Sequence, residues 1–230
     1  CGWNLIESSL KKNQTKFIPV DSEHFSIMNL LNGLGNFDVE EVLITASGGP
    51  FLNLPLNKFK SIKPINAVKH PNWKMGKKIS IDSATLMNKV FEIIEAKKIF
   101  NIELKKFKIV IHPKSYVHAV VKFKNGLTKI LIHDTNMKIP IFNSIYSKDT
   151  NHISSNKINF EYLNNLDFKK VNLKKFPSVK LIKKVPFKNS LFETVIVSAN
   201  DELVNLFLRN KIKFNEIFYY LNKITNLKNL

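Results

Sequence analysis

The chain has 230 residues, with 36 lysines and arginines against 18 aspartates and glutamates, so its formal net charge is +18. This length can bury a sizeable core in one large domain or two small ones. No run of 18 apolar residues indicates a membrane span. The single cysteine excludes an intramolecular disulfide framework and a cysteine-ligated zinc site, and it is typical of a reducing compartment.

The positive charge raises the question of nucleic-acid binding, but the kind of basic residue argues against it. Arg209 is the only arginine, and the lysines are spread along the chain instead of gathering in one arm. Readout of bases and bidentate contact with phosphates both favour arginine. We therefore expect no nucleic-acid partner and no membrane partner, and we keep a basic nucleic-acid-binding module only as an alternative.

Two carboxylates follow the first predicted strand. Residues 1–10 have the pattern of the end of a helix, and residues 16–20 predict a short strand that ends at Asp21 and Glu23. On an extended backbone these side chains would point to the same side. Close carboxylates repel unless a cation lies between them, and hard oxygen ligands suit Mg²⁺ or Mn²⁺. The alternative is a chance Asp-x-Glu on a loop.

A small hydroxyl residue and two glycines follow the next predicted strand, residues 41–46. Ser47, Gly48 and Gly49 would let backbone N–H groups approach an anion closely, as in phosphate-binding loops. An ordinary turn at the end of a strand explains the same residues equally well.

The loop 70–78 contains two large apolar side chains, Trp73 and Met75, in a polar surrounding. This composition is typical of a lid that closes on a ligand. The alternative is a tryptophan that fills a groove. The next three residues, 79–81, predict a strand.

Residues 82–100 predict one helix that begins at Asp82 or Ser83. Its apolar positions recur at helical spacing, and its polar residues fall on the opposite face. That polar face consists of Thr85, Asn88, Lys89, Glu92 and Glu95. It is either part of a binding site or a solvated surface with a Lys89–Glu92 ion pair.

Four motifs resemble, in the same order, the 1-deoxy-D-xylulose 5-phosphate reductoisomerase family. The similarity continues through residues 111–118 and 137–140 and returns weakly at residues 198–202. The four motifs are DSEH at 21–24, SGGPF at 47–51, HPNWKMG at 70–76 and DSATLMNK at 82–89.

The resemblance implies an NADPH-dependent enzyme of isoprenoid precursor biosynthesis. The expected reaction rearranges 1-deoxy-D-xylulose 5-phosphate and reduces the product to 2-C-methyl-D-erythritol 4-phosphate. Asp21, Glu23 and Glu92 would hold a divalent cation, Mn²⁺ or Mg²⁺. The cation would act as a Lewis acid on the substrate's oxygens. The resemblance further implies a homodimer in the bacterial cytoplasm or in a plastid-type organelle.

The resemblance also assigns roles to individual residues. The expected catalytic residues are Glu23, Lys89, Glu92, His70 and Trp73. The expected substrate-binding residues are Ser22, Glu23, Ser47, His70, Ser83, Asn88, Lys89 and Glu92. Trp73 and Met75 would lie on the lid, and Gly76, with Met75, would contact the nicotinamide cofactor. His118 matches a family active-site histidine. The positive end of the helix near Ser83 would also favour the phosphate.

We expect an α/β (α+β) catalytic domain with a mixed sheet, followed by a smaller all-α C-terminal domain. The expected domains are 20–146 (catalytic), 147–185 (linker) and 186–230 (helical, incomplete). The family opens with a dinucleotide-binding domain that carries a glycine-rich turn between strand and helix, and no such turn precedes the metal motif here. The resemblance therefore implies that residues 1–19 are the tail of that domain. Asn125-Gly126 predicts a hairpin within residues 120–133.

Three positions depart from the family pattern. Val90 stands where the family usually has glycine, Asn136 where it has aspartate, and Ser198 where it has asparagine. A second alternative is therefore a non-catalytic remnant of the enzyme.

Overall fold

The computed structural model describes residues 2–33, 39–146, 151–187 and 190–227. They divide into two compact units. We call the one formed by Gly2–Ala46 and Glu92–Lys170 the sheet unit, and the one formed by Ser47–Phe91 and the described part of Val171–Leu230 the helical unit. Among the described residues, no helix is long and apolar enough to cross a membrane.

The sheet unit is built on a mixed five-stranded sheet with the order β4-β3-β1-β2-β5. β1 and β2 are parallel, and the other neighbouring strands are antiparallel. The central strand β1 carries the fully buried Val42 and Ile44. The strands are β1 (Val39–Ala46), β2 (Phe107–Ile111), β3 (Val117–Phe123), β4 (Thr128–Ile132) and β5 (Lys169–Lys170).

Helices flank this sheet, and α2 packs on β3 and β4. α5 begins in the helical unit and continues into the sheet unit from Glu92 onward. The helices from the start of the chain to residue 100 are α1 (Trp3–Lys12), α2 (Ser22–Leu31), α3 (Pro64–Ala67), α4 (Lys77–Thr85) and α5 (Met87–Phe100). Two more helices follow β4, namely α6 (Lys138–Ile145) and α7 (Phe160–Asn164). A single 3₁₀ turn, Leu104–Lys106, precedes β2.

The helical unit contains α3, α4, two 3₁₀ helices (Leu56–Ser61 and Pro177–Lys184), α8 (Phe192–Leu208) and α9 (Phe214–Ile224). Its core includes four phenylalanines in edge-to-face contact, with Phe214 lying 5.3–6.0 Å from the other three ring centroids. The other three rings are Phe51, Phe59 and Phe207. Aromatic packing therefore joins the segment after the double glycine to the helices α8 and α9.

The sequence predicted the fold class correctly: the sheet is mixed, and the C-terminal part is helical. The strand at 41–46, the hairpin around Asn125-Gly126 and the first helix are also confirmed, although α1 runs on to Lys12. The stretch 147–185, predicted as a linker, contains α7, β5 and a 3₁₀ helix among its described residues. Residues 147–150 and the end of the chain at 228–230 lie outside the described residues. The predicted domain boundaries stay a prediction.

Two predicted strands are wrong. Residues 16–20 form no strand and pair with none of the described strands. Residues 79–81 belong to α4, where Ile81 is buried and Ile79 is 40% exposed. On a helix, residues two apart point to nearly opposite sides, which is why one isoleucine is buried and the other is exposed; a run of three residues is too short to show either period.

The predicted helix 82–100 is also wrong as a single element. α4 ends at Thr85, Leu86 has φ of 59° in the left-handed region, and α5 begins at Met87. Thr85 therefore belongs to a different helix from Asn88 and Lys89. Asp82 and Ser83 lie within α4 and do not cap a helix at its start.

The buried centre of β1 makes a testable contribution to stability. Replacing Ile44, which is fully buried, with alanine should lower the free energy of unfolding by about 2–5 kcal/mol, because it leaves a cavity. The same substitution at Ile130 on the edge strand β4, which is 44% exposed, should cost less than about 1 kcal/mol. Urea unfolding followed by circular dichroism measures both. Equal losses would contradict the placement of β1 at the centre of the sheet.

Candidate metal and anion sites

Three carboxylates meet in the sheet unit. Asp21, Glu23 and Glu92 each offer an oxygen, and these oxygens all lie within 4.8 Å of one another. Glu23 and Glu92 are each only 8% exposed. Like charges this close and this poorly hydrated are unfavourable without a cation, so the donor set fits a hard divalent ion. Among the described residues, this is the only group of three or more His, Cys, Asp or Glu side chains that could hold a metal ion.

The start of a helix brings the first two carboxylates together. The sequence had suggested the end of a strand instead. Asp21 is the N-cap of α2, and its Oδ1 accepts hydrogen bonds from the N–H groups of Glu23 and His24, both at 3.1 Å. A cap of this kind satisfies N–H groups that have no helical acceptor. The Ser22 hydroxyl donates a hydrogen bond to Oε2 of Glu23. Residues 21–23 therefore present their oxygens at the start of α2.

His24 is a residue whose role the sequence analysis missed. Its Nε2 lies 2.9 Å from the main-chain oxygen of Glu92, and its Nδ1 lies 3.3 Å from Oδ1 of Asp21. A carbonyl oxygen only accepts, so Nε2 carries a proton and donates it. The ring is only 3% exposed, and it links the carboxylate of Asp21 at the start of α2 to the main chain of α5 at Glu92. Its position three residues after Asp21, on one face of a helix, was the available signal.

His118 lies on β3 and stacks on His133, with ring centroids 3.7 Å apart and planes 13° apart. Its Nε2 donates to the main-chain oxygen of His133 at 3.1 Å, and Nδ1 of His133 donates to the oxygen of Asp134 at 2.7 Å. Burial lowers the pKa of His133, while the Asp134 carbonyl and the charge of Glu23 act in the opposite direction. No sequence pattern had indicated His133.

A separate group of polar side chains lies in the helical unit, at the end of β1. Nδ1 of His70 accepts the N–H groups of Asn72 and Trp73, at 3.1 and 2.9 Å. Because Nδ1 is an acceptor, the proton of the neutral ring sits on Nε2, which lies 3.0 Å from Oγ of Ser47. Oγ of Ser47 also accepts the N–H of Gly49 at 3.0 Å. Both hydrogen bonds use the oxygen of Ser47 as acceptor, and its hydroxyl proton donates to no acceptor among the described residues.

The double glycine brings this serine close to α4. Gly48 and Gly49 have φ of 84° and 61°, and a Cβ on Gly49 would lie 2.9 Å from Cα of Ala84 and 3.1 Å from the oxygen of Ser83. Any other residue at 49 would therefore be strained and would collide with main-chain atoms. The turn after β1 thus packs against α4 at Ser83, which is 5% exposed.

Lys89 lies in the first turn of α5, next to Asn88. Its side chain is 6% exposed, and its charge contributes, after burial, to the lowered pKa of His70. The positive end of the helix belongs at Met87–Lys89, where α5 begins, and not near Ser83 as the sequence had suggested. Lys89 and Glu92 are both buried, so the alternative of a solvated helix face does not hold at these two positions.

The predicted lid is the irregular segment between α3 and α4. His70 holds its first residues through the hydrogen bonds from Asn72 and Trp73, and Gly76 is the N-cap of α4. Trp73 and Met75 are partly exposed. His70 thus contacts both the hydroxyl of Ser47 and the main chain at the start of the predicted lid, so the positions of these two segments are linked.

The three departures from the family pattern leave these groups intact. Val90 is fully buried in α5, and Ser198 is exposed on α8. Oδ1 of Asn136 accepts the N–H of Lys138 at 3.0 Å at the start of α6, a bond that a carboxylate would also make. None of these side chains takes the place of a candidate site residue.

The titration of His70 tests the geometry of the anion site. Burial, with a smaller contribution from the charge of Lys89, lowers the pKa of His70 from 6.5 to about 4. The stability that the neutral ring contributes is therefore complete above pH 6.5 and is lost as the pH falls through 4. NMR of the ring should show a midpoint near pH 4, and Lys89→Met should raise it. A wild-type midpoint near 6.5 would contradict this environment.

Comparisons with known proteins show which family this chain resembles. Two family models match: the 1-deoxy-D-xylulose 5-phosphate reductoisomerase C-terminal domain over residues 17–100, and the DXP reductoisomerase C-terminal domain over residues 133–229. The 1-deoxy-D-xylulose 5-phosphate reductoisomerase of Pelagibacter ubique (strain HTCC1062) is 61% identical over 226 residues, which are 98% of this chain and 58% of that protein.

Solved structures of the same enzyme are similar as well. The reductoisomerase from Zymomonas mobilis in complex with NADPH has a TM-score of 0.88 at 32% identity, covering 97% of this chain and 58% of that one. A DOX-P reductoisomerase in complex with NADPH, fosmidomycin and magnesium has a TM-score of 0.86 at 30% identity, covering 99% of this chain and 58% of that one. The chain thus spans a little over half the length of these relatives. It belongs to the 1-deoxy-D-xylulose 5-phosphate reductoisomerase family, over the part of these proteins that the C-terminal domain models describe.

Proposed function

We propose that this chain carries the metal- and substrate-binding part of an enzyme that rearranges 1-deoxy-D-xylulose 5-phosphate and reduces the product with NADPH to 2-C-methyl-D-erythritol 4-phosphate. The observation that supports this most strongly is the meeting of Asp21, Glu23 and Glu92 within 4.8 Å, since these are the residues that the family resemblance assigned to the cation. They come from two helices, α2 and α5, and from distant parts of the sequence. Chance does not readily place three such residues together.

The donor set suits Mg²⁺ or Mn²⁺, because all three ligands are hard oxygens and no thiolate takes part. Asp21, Glu23 and Glu92 would hold the ion. When bound, a divalent cation supplies Lewis-acid stabilisation of negative charge on the substrate's oxygens. His24 orients Asp21 and the backbone at Glu92, and Ser22 orients Glu23, so these neighbours keep the carboxylates in place.

The phosphate end of the substrate would be bound in the helical unit. Ser47 has a hydroxyl proton to donate, the buried ammonium of Lys89 favours an anion beside it, and the first N–H groups of α5 add positive charge. Ser83 and Asn88 lie on the two helix ends on either side of Leu86. His70, neutral near pH 7, would donate to Ser47 without adding a charge.

The lid completes the proposal. Trp73 and Met75 would cover the bound substrate and exclude water, and Met75 and Gly76 would contact the nicotinamide of NADPH, which supplies the hydride. The solved relatives with NADPH and with magnesium support this assignment by analogy. The homodimer and the cytoplasmic or plastid location implied by the resemblance stay predictions.

Removing one carboxylate tests the metal site. Glu92→Gln should weaken Mn²⁺ binding at least about 100-fold in calorimetric titrations with the sugar phosphate present, because the amide oxygen carries no charge. Glu103→Gln, an equivalent change at an exposed glutamate just after α5, should leave the affinity unchanged. Equal affinity in wild type and Glu92→Gln would contradict the proposed metal site.

Removing one ammonium tests the phosphate site. Lys89→Met should weaken binding of 1-deoxy-D-xylulose 5-phosphate about 10- to 100-fold, the loss expected for a buried charged hydrogen bond. Lys124→Met, in the exposed turn of the hairpin, should have no effect. Calorimetry at saturating Mn²⁺ measures both. If the two variants bind equally well, Lys89 does not bind the phosphate.

The remnant alternative is tested by turnover. NADPH oxidation that depends on the sugar phosphate and on Mn²⁺, measured with the protein that contains this chain, would exclude it. No turnover despite intact binding of metal and sugar phosphate would favour it.

A further inference from the structure

The motif SANDE at residues 198–202 resembles the family weakly and has no part in the function proposed above. In the structure, two of its residues, Asn200 and Asp201, bind α4. Nδ2 of Asn200 donates to Oδ1 of Asp82 at 2.8 Å. Nζ of Lys78 lies 2.7 Å from Oδ2 of Asp82 and 2.9 Å from Oδ1 of Asp201. We call these four residues the α4–α8 clamp.

The pair of Asn200 and Asp82 within the clamp is buried, and its geometry is directional. Asn200 is fully buried and Asp82 is 1% exposed. A carboxylate oxygen only accepts, so the amide of Asn200 must point its nitrogen at Asp82. Its own oxygen then lacks a hydrogen-bond partner among the described residues, which carries a cost in free energy. A leucine at this site would avoid that cost but would leave Oδ1 of the buried Asp82 without its donor, so removing the amide is also expected to lower stability.

The clamp holds both ends of one short helix. α4 begins after Gly76, the last residue of the lid, and Lys78 lies in its first turn. Asp82 lies in its last turn, immediately before Ser83, whose main-chain oxygen is in close contact with Gly49. Burial raises the pKa of Asp82, and the hydrogen bonds from Lys78 and Asn200 oppose that shift, so these two partners favour the ionised carboxylate. Both the lid and the Ser47 turn therefore adjoin a helix whose position depends on α8.

We propose that Asn200 is a positioning residue for the phosphate site: through Asp82 it fixes α4, and with it Ser83 and the attachment point of the lid. This inference rests on the proposed function of that site. It gives the C-terminal helices a part in substrate binding, although none of their residues belongs to the candidate site.

A purely structural role predicts something different. If the clamp served only stability, its loss would lower the unfolding temperature without altering the affinity of the folded protein for the sugar phosphate. If it positions α4, the affinity for the sugar phosphate falls while Mn²⁺ binding in the sheet unit is unchanged. The two affinities therefore separate positioning from stability.

The experiment compares the wild-type chain with Asn200→Leu, which removes the donor at similar volume. Asn205→Leu, the same change at an exposed position of α8, is the matched control. A second variant, Asp82→Asn with Asn200→Asp, reverses the amide and the carboxylate and keeps one negative charge near Lys78. Each protein is titrated with Mn²⁺ alone and with 1-deoxy-D-xylulose 5-phosphate at saturating Mn²⁺.

We expect Asn200→Leu to bind the sugar phosphate about tenfold more weakly, as small displacements of binding groups do, and to bind Mn²⁺ as the wild type does. The reversed pair should recover most of the affinity, and Asn205→Leu should match the wild type. Unchanged sugar-phosphate affinity in Asn200→Leu, or joint loss of both ligands in Asn200→Leu and in the reversed pair, would overturn the positioning role. No saturable binding of the sugar phosphate by the wild type would instead overturn the proposed function, and the inference with it.

Discussion

The repulsion between three carboxylates held within 4.8 Å is the constraint on which the sheet unit depends. Two of them are almost entirely buried, so water does little to offset their mutual repulsion. The neighbouring groups hold the cluster in place: Asp21 caps α2, Ser22 binds Glu23, and His24 bridges Asp21 and the backbone of Glu92. A divalent cation would offset this repulsion, so the arrangement suits a candidate metal site.

The helical unit contains a candidate site of opposite charge, with a buried ammonium in place of buried carboxylates. Lys89 is buried, Ser47 has a hydroxyl proton to donate, and burial lowers the pKa of His70, so the group has the charge and the donor that an anion site would need. α5 carries Lys89 in its first turn and Glu92 one turn later, before and after the point where the chain passes from one unit to the other. A single continuous helix therefore contributes a residue to each of the two candidate sites.

The elements that carry the candidate site residues differ from those that the sequence predicted. Asp21 and Glu23 were expected to lie close together at the end of a strand, but Asp21 is the N-cap of α2 and Glu23 lies in its first turn. Residues two apart can lie close together in either setting, so their spacing alone does not distinguish a strand end from a helix start. The helix 82–100 was predicted as continuous because its apolar spacing hides a break at Leu86, where a buried leucine adopts a left-handed conformation. Only tertiary packing makes such a residue acceptable, and no local pattern reveals it. His133 and the bond between Asn200 and Asp82 join distant residues, so a single sequence gives no sign of either.

The most direct test of the account is the position of the metal itself. Crystals of the protein grown with Mn²⁺ and measured at the manganese absorption edge should show one strong anomalous peak, bonded to carboxylate oxygens of Asp21, Glu23 and Glu92. A peak at any other group of residues, or no peak although calorimetry shows saturable binding in solution, would contradict the claim that the three carboxylates form one metal site.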